Sequence, residues 1–134
     1  MAYTEREIIA QSDFYHVSNV KLYEYLDDAR SEWYKYSVFI GVESVLVHIS
    51  ADFKKEIFDR DRLRILTALE RVGNTSLTLK QTVMNQRDEQ VVTAEVVLAT
   101  IDREKRTKVT VPNEIRKLME EPLDLKLHLL NKNP

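Results

Sequence analysis

The sequence predicts an α+β fold in which an antiparallel sheet packs against one long helix. Between Val20 and Trp33, apolar residues recur at spacings of three and four, which is typical of an amphipathic helix. From Val45 to Ile101 the apolar period changes to two, which indicates strands separated by short polar turns. Closely joined strands pair antiparallel, and their apolar face needs a helix to cover it.

The composition permits one domain with a substantial core, and we interpret residues 1–134 in this way. The 134 residues are 43% hydrophobic and 31% charged, as in ordinary globular proteins. A chain of this size buries roughly two-thirds of its unfolded surface. The net charge of −2 argues against a general nucleic-acid binder. The absence of cysteine excludes disulfides and thiolate nucleophiles.

The sequence predicts no metal site, no cofactor site and no membrane association. The three histidines, His16, His48 and His128, lack metal-ligand spacing, so we predict no metal and no cofactor. No Gly-x-Ser-x-Gly elbow or glycine-rich phosphate loop occurs. There is no signal peptide and no run of about 18 apolar residues, so we expect a cytoplasmic protein without membrane association.

The predicted elements follow in chain order. A strand over 3–11 is anchored by Ile8 and Ile9, and one helix runs from Ser18 to about Tyr36 before Gly41. Four strands follow, of which the run from Val91 to Ile101 is apolar on both faces and should be central. They begin near Val45, Leu63, Ser76 and Val91, with turns at Asp59-Arg60-Asp61, Gly73-Asn74 and 86–89.

The C-terminal part is less regular. Residues 108–111 can extend the sheet, and Pro112 should stop it before a short helix over 113–119. In the tail from Pro122, leucines alternate with polar residues, a pattern compatible with either a strand or a helix that needs a partner surface.

The loop before the long helix concentrates polar side chains at the positive end of a helix dipole. Ser18 occupies the position of an N-cap, where its hydroxyl accepts from an amide of the first turn. Asp13, His16 and Asn19 lie close by in sequence. Such a helix start can stabilise an anion, or a carbonyl oxygen that is becoming one.

These residues also resemble a known signature. Asp13, His16-Val17-Ser18-Asn19, Tyr23, Tyr25 and Ala29-Arg30 match, in order, the motif of hotdog-fold acyl-CoA thioesterases, the 4-hydroxybenzoyl-CoA thioesterase-like family. Tyr15 replaces the usual glycine, Ser18 replaces the first asparagine, and Asp13 is one residue closer to the histidine. The resemblance covers roughly 3–119 and leaves the tail from about 120 to 134 outside it. It implies a curved antiparallel sheet wrapped around one long central helix.

The resemblance implies hydrolysis of a thioester of coenzyme A or of an acyl carrier protein. Asp13 would act as general base or nucleophile, although a loop aspartate can also simply cap a turn. His16 and Asn19 would orient Asp13, a water or the substrate carbonyl, or would merely hold the loop. The amides of Asn19 and Val20 would bind the carbonyl oxygen. Val20 and Tyr23 are the predicted substrate contacts.

Three further expectations concern the phosphates of coenzyme A, the assembly and the rival functions. Coenzyme A phosphates could meet a basic side chain, although each candidate is also an ordinary surface charge; the candidates are Lys54, Lys55, Arg71, Lys80 and Arg87. The family resemblance implies a homodimer or homotetramer with the site between subunits. The rival functions are a non-catalytic hotdog protein that binds acyl chains or a partner, and a hotdog dehydratase or isomerase.

Overall fold

The computed structural model describes residues 1–132 and contains one six-stranded sheet with four helices. It confirms the α+β fold class. The elements are β1 (Ala2–Ile9), α1 (Asn19–Ala29), α2 (Ser31–Phe39), β2 (Glu43–Phe53), β3 (Arg62–Val72), β4 (Ser76–Met84), β5 (Gln90–Ile101), α3 (Asn113–Lys117), β6 (Leu123–Asp124) and α4 (Leu125–Lys132).

The sheet has the order β2-β5-β4-β3-β1-β6. Every pairing is antiparallel except that of β6 with β1. β5 pairs with β2 on one side and with β4 on the other, which confirms the predicted central strand. One face of β3 and β4 is buried beneath the helices, because Leu63, Ile65 and Leu79 are at most 1% exposed. The period-two pattern therefore indicated the buried face correctly.

The predicted single helix is divided at Arg30, and this corrects the sequence prediction. Arg30 has φ −93° and ψ 1°, and it separates α1 from α2. Such a break frees the last carbonyls of α1, which then need other donors. The donors are Gln81 Nε2 to Leu26 O (3.0 Å), Arg30 N–H to Asp27 O (3.0 Å), Arg6 Nη1 to Asp28 O (2.7 Å) and Thr67 Oγ1 to Ala29 O (3.5 Å).

Arg30 itself is buried at this break, with 2% exposure. Its guanidinium donates to the Asp27 carboxylate at 3.2 Å, the Tyr34 hydroxyl at 3.0 Å and Gln81 Oε1 at 3.0 Å. A buried charge requires such partners. Arg30 thus ties α1, α2 and β4 together, and it lies between two apolar clusters, one under each helix.

The predicted apolar stripe of α1 is partly wrong. Leu22, Leu26 and Ala29 are buried, whereas Val20 is 71% exposed and Tyr23 is 40% exposed. Val20 precedes Leu22 by two residues, which is about 200° around a helix, and it therefore lies on the other side. The packing of Leu22 and Leu26 against the sheet set the rotation of the helix.

The tail forms a two-residue strand followed by a helix. β6 pairs with β1 through Ala2 and Leu123, and Leu125 is fully buried. The His128 ring lies 5.7 Å from that of Tyr36, edge to face. The predicted sheet extension over 108–111 is reduced to one bridge between Lys108 and Ile101. Within residues 1–132, no helix is long and apolar enough to cross a membrane.

Candidate functional site

The loop between β1 and α1 is held by residues distant from it in sequence. The Ser12 amide donates to Asp59 Oδ1 at 2.8 Å, and the Gln11 amide donates to the Tyr25 hydroxyl at 3.0 Å. The Val17 amide donates to the Ile57 carbonyl at 2.7 Å, next to a bridge between His16 and Phe58. The loop is thus attached to α1 and to the β2–β3 connection.

Ser12 also organises the loop from within. Its hydroxyl donates to the His16 carbonyl at 2.8 Å and accepts from the Phe14 amide at 3.0 Å. These bonds fold the backbone on both sides of Asp13. The hydrogen bond from the Phe14 amide to the Ser12 hydroxyl forms a serine turn. The position of a serine two residues before Phe14 could have indicated this turn. The contributions of Asp59 and Tyr25 depend on long-range contacts and left no local signal.

The structure places Asp13, His16 and Ser18 on one open groove of about 410 Å³. We call it the Asp13 groove; it is lined by Gln11, Ser12, Asp13, Phe14, His16, Ser18 and Lys21. Asp13 is exposed at its surface. Within residues 1–132, its carboxylate has no hydrogen-bond partner, so it is available to a water or a bound molecule.

Ser18 is the N-cap of α1, as predicted. Its backbone is extended, and its hydroxyl accepts from the Lys21 amide at 3.2 Å. In the described part of the chain, the preceding amides of Asn19 and Val20 have no acceptor. The helix start therefore keeps two backbone donors for an external oxygen, and the helix dipole favours negative charge there.

A second groove, of about 440 Å³, also includes this helix start. We call it the lysine groove; it is lined by His16, Val17, Ser18, Asn19, Leu22, Phe53, Lys54, Lys55, Glu56, Ile57 and Val92. Asn19 lines this groove and not the Asp13 groove. His16 and Ser18 line both, so the two grooves adjoin at these residues. The sequence did not indicate that Lys54 and Lys55 lie near the loop.

The two predicted substrate contacts lie outside both grooves. Val20 projects from the first turn of α1 into solvent. The Tyr23 ring lies 6.4 Å from the Phe53 ring in an edge-to-face arrangement, and Phe53 lines the lysine groove. Their role in binding substrate stays a prediction, as do the catalytic roles of Asp13, His16 and Asn19.

An ion cluster fixes one lysine of the second groove. Lys55 Nζ lies 2.5 Å from Glu89 Oε2, while Asn85 and Arg87 bond the other carboxylate oxygen at 2.9 Å and 2.8 Å. The bond from Lys55, followed by those from Asn85 and Arg87, lowers the pKa of Glu89 to about 2. Glu89 therefore stays ionised at neutral pH.

Asp61, in the predicted turn at 59–61, has a structural role. It is 5% exposed, and its carboxylate accepts from the Phe58 amide at 2.8 Å and from Gln86 at 2.9 Å. It holds the turn that carries Asp59. Within residues 1–132, no group of three or more potential ligand side chains is close enough to hold a metal ion.

The architecture is that of an α+β protein with an exposed aspartate on the loop that precedes α1. The chain belongs to the thioesterase-like superfamily, whose family model matches residues 9–119. A search of curated proteins by sequence found no match. The predicted family resemblance and the hotdog fold are therefore confirmed.

Solved structures share this fold at low sequence identity. DHNA-CoA thioesterase from Staphylococcus aureus is similar with a TM-score of 0.74 and 18% identity, over 98% of this chain and 95% of that chain. A predicted thioesterase from Bacillus stearothermophilus has a TM-score of 0.78 and 19% identity, over 91% and 98%. A hypothetical protein from S. aureus, solved in complex with CoA, has a TM-score of 0.75 and 13% identity, over 88% and 82%.

Proposed function

We propose that this protein hydrolyses an acyl thioester of coenzyme A or of an acyl carrier protein. One observation carries the proposal: the unpaired Asp13 carboxylate shares a groove with Ser18, the N-cap of α1. Membership of the thioesterase-like superfamily supports the reaction class. The S. aureus enzyme named as a DHNA-CoA thioesterase and the structure with bound CoA support a coenzyme A thioester as substrate.

The proposed reaction uses the helix start and the carboxylate together. The thioester carbonyl docks with its oxygen toward the free amides of Asn19 and Val20. Asp13 either takes a proton from water, whose oxygen adds to the carbonyl carbon, or adds to that carbon directly. Charge then develops on the carbonyl oxygen, where one preorganised donor is commonly worth ~10²–10³ in rate. The C–S bond breaks and the thiolate leaves; in the direct route, water then hydrolyses the acyl-Asp13 intermediate.

His16 and Asn19 have different places in this proposal. His16 lies between the two grooves, so its ring can orient the attacking water or the thioester sulfur. Asn19 lines the lysine groove and not the Asp13 groove, so its side chain can position the substrate beside the reacting atoms. Both are positioning residues in this scheme, while Asp13 touches the reacting atoms.

We also propose that the protein forms a homodimer or homotetramer. β2 is an edge strand of eleven residues that pairs only with β5 in the described part of the chain. It exposes Leu46 at 45%, Val47 at 54% and Phe53 at 48%. An edge strand with exposed apolar residues is stabilised by pairing with a second copy. Phe53 belongs to the lysine groove, so this interface would lie beside the site.

A panel of acyl-CoA substrates with a thiol reagent tests the proposed reaction. We expect thiol release by the wild-type protein and a loss of about 10²–10⁴-fold in Asp13→Asn, the usual contribution of a general base. Glu5→Gln, an exposed carboxylate on β1, is the matched control and should retain the wild-type rate. Release that is unchanged in Asp13→Asn would contradict the assigned role. Tight acyl binding without release would favour the non-catalytic binding protein instead.

A further inference from the structure

We infer that the acyl group of the substrate ends in a carboxylate, which binds Arg60 and Arg62 in a groove beside Asp13. This inference rests on the proposed function, because it names the class of acyl group that the thioester carries. The groove has a volume of about 760 Å³, and we call it the arginine groove. It is lined by Ile9, Gln11, Ser12, Asp13, Asp59, Arg60, Arg62 and Gln86.

The arginine groove adjoins the Asp13 groove. Gln11, Ser12 and Asp13 line both of them, so Asp13 lies where the two grooves meet. An acyl group whose carbonyl carbon lies beside Asp13 can therefore extend into the arginine groove.

Hydrogen bonds hold the turn between β2 and β3 against the segment that leads to Asp13. The Arg60 amide donates to the Ala10 carbonyl at 2.7 Å. The Ser12 amide, next to Asp13, donates to Asp59 Oδ1 at 2.8 Å. These bonds fix the backbone of Arg60 beside residue 10, only three residues before Asp13.

Arg62 continues this surface at the first position of β3. It is the cross-strand partner of Ile9, the last residue of β1, and its amide donates to Gln86 Oε1 at 3.0 Å. Its side chain is exposed, and within residues 1–132 the guanidinium forms no ion pair and no hydrogen bond. Arg62 therefore keeps the N–H donors of its guanidinium for a bound molecule.

Arg60 also has bonding capacity left. Its side chain is 89% exposed, and its ion pair in the described part of the chain is a 4.0 Å contact with Asp59 Oδ2. The backbone of Arg60 has φ 71°, in the left-handed region that residues with a side chain rarely adopt. Such conformations cluster at binding and catalytic sites. Two guanidinium groups are thus open to an anion, and a carboxylate matches their planar arrangement of donors.

The lining of the arginine groove is unsuited to a fatty acyl chain. Of the eight described residues that line it, all but Ile9 are polar or charged, so an apolar chain would gain little by entering. The two acids of the groove have other roles, since Asp13 is assigned to the reacting carbon and Asp59 bonds the Ser12 amide. A carboxylate at the end of the acyl group is therefore the fitting partner of the two arginines.

The position of Arg62 separates the acyl carboxylate from Asp13. Arg62 also lines a neighbouring depression that does not include Asp13, and it does not line the Asp13 groove. In that depression, Glu7 is the cross-strand partner of Arg64, and Asp88 bonds the Arg64 guanidinium at 2.6 Å. Neither acid forms an ion pair with Arg62, so a carboxylate at Arg62 meets an unpaired cation at the far end of the groove from Asp13.

The arginines suit the acyl side of the thioester better than its carrier. The phosphates of coenzyme A and of an acyl carrier protein are separated from the thioester sulfur by the whole pantetheine arm. Arg60 and Arg62, in contrast, line the same groove as Asp13. A negative group that reaches them from a carbonyl beside Asp13 needs only a short chain.

Isothermal calorimetry with non-hydrolysable thioethers of coenzyme A tests the inference without turnover. The probes are two pairs that differ only in a terminal carboxylate: S-butyl against S-carboxypropyl coenzyme A, and S-hexyl against S-carboxypentyl coenzyme A. They are measured with the wild-type protein, Arg60→Gln/Arg62→Gln and the charge-matched control Arg103→Gln/Lys105→Gln. The control residues are exposed in the turn after β5. Two exposed arginine–carboxylate contacts are worth about tenfold in affinity.

In at least one pair, we expect the carboxylate probe to bind the wild-type and control proteins about tenfold more tightly than its alkyl partner. This difference should vanish in Arg60→Gln/Arg62→Gln. No preference in the wild-type protein, or an unchanged preference in the double variant with a native circular dichroism spectrum, would overturn the inference. An equal loss of affinity for both members of each pair would assign the arginines to the phosphates of the carrier and would overturn it as well.

Turnover separates this result from the proposed reaction. An arginine-dependent preference without cleavage of any thioester would remove the proposed hydrolysis but keep the carboxylate site. Cleavage of hexanoyl-CoA and adipoyl-CoA with equal kcat/KM, unchanged in Arg60→Gln/Arg62→Gln, would keep the reaction and overturn the inference.

Discussion

Gln81→Met is the substitution that most directly tests how the helix break at Arg30 is stabilised. Gln81 is fully buried in β4 and forms three side-chain hydrogen bonds. Its carbonyl accepts from Arg30 Nη1 at 3.0 Å, and its amide donates to Leu26 O and to Thr67 Oγ1, both at 3.0 Å. Methionine is similar in length and volume, so the substitution removes polar atoms while leaving little empty space.

The loss of unfolding free energy in Gln81→Met depends on which hydrogen bonds the former partners of Gln81 keep. Arg30 keeps Asp27 and Tyr34, and the Thr67 hydroxyl keeps Ala29 O, so each of these loses only part of its bonding. The Leu26 carbonyl and one N–H of a buried guanidinium are left unsatisfied. Each buried unsatisfied group costs ~1–3 kcal/mol, so we expect a loss of about 3 kcal/mol in the free energy of unfolding. For a chain of this size that corresponds to a decrease of roughly 10 °C in Tm.

Urea denaturation measures this loss as a shift in midpoint at constant slope. Thr82→Val, on the adjacent and opposite-facing position of β4, is the control and should change stability by less than about 0.5 kcal/mol. The double variant Arg30→Met/Gln81→Met should lose less free energy of unfolding than the sum of the two single variants. The reason is that the second substitution removes a group that the first has already left without its hydrogen-bond partner. A Gln81→Met protein as stable as wild type, or strict additivity, would refute the reasoning.

Three further predictions concern the loop, the ion cluster and the assembly. Ser12→Ala should lower kcat about fivefold, because ~1 kcal/mol of loop hydrogen bonding is lost around Asp13, and Ser12→Thr should restore it; equal kcat in all three proteins would contradict this. The pKa of Glu89 is lowered from its ordinary value near 4.5 to about 2, so its stabilising effect is present above pH 4.5 and is lost as the pH falls toward 2. The stability difference between wild type and Glu89→Gln, followed by urea unfolding, should shrink over that range, whereas a constant difference would exclude the linkage. Leu46→Lys on β2 should shift the particle mass measured by light scattering at micromolar concentration toward the monomer; a wild-type protein that is already monomeric would remove the proposed assembly.

Much of the fold was predictable because its signals are local. The period-two runs of β3, β4 and β5 and the turn residues between them are properties of neighbouring residues. The N-cap at Ser18 is equally local, since its hydroxyl reaches an amide only three residues away. These features follow from sequence spacing alone.

The interruption of the helix was not predictable in this way. Residues Ala29 to Ser31 form a plausible helix by propensity, and three of the donors that compensate the break at Arg30 lie on strands. Arg6, Thr67 and Gln81 are 22, 38 and 55 residues away from the carbonyls that they bond. A helix that continued through Arg30 would leave the buried donors of Thr67 and Gln81 with one acceptor fewer each.

The candidate site was likewise predictable from the sequence only in part. The sequence by itself determined the loop with Asp13, the N-cap and the superfamily motif, because each depends on residues that are close along the chain. Only the tertiary structure placed Asp13 with Ser18 on one groove, moved Asn19 to another, and brought Lys54 and Lys55 to the helix start. The physical reason is that the β2–β3 connection meets the loop through backbone hydrogen bonds at Ile57 and a side chain at Asp59. Such contacts between distant segments form when the sheet packs against the helix, and the spacing of residues along the chain does not predict them.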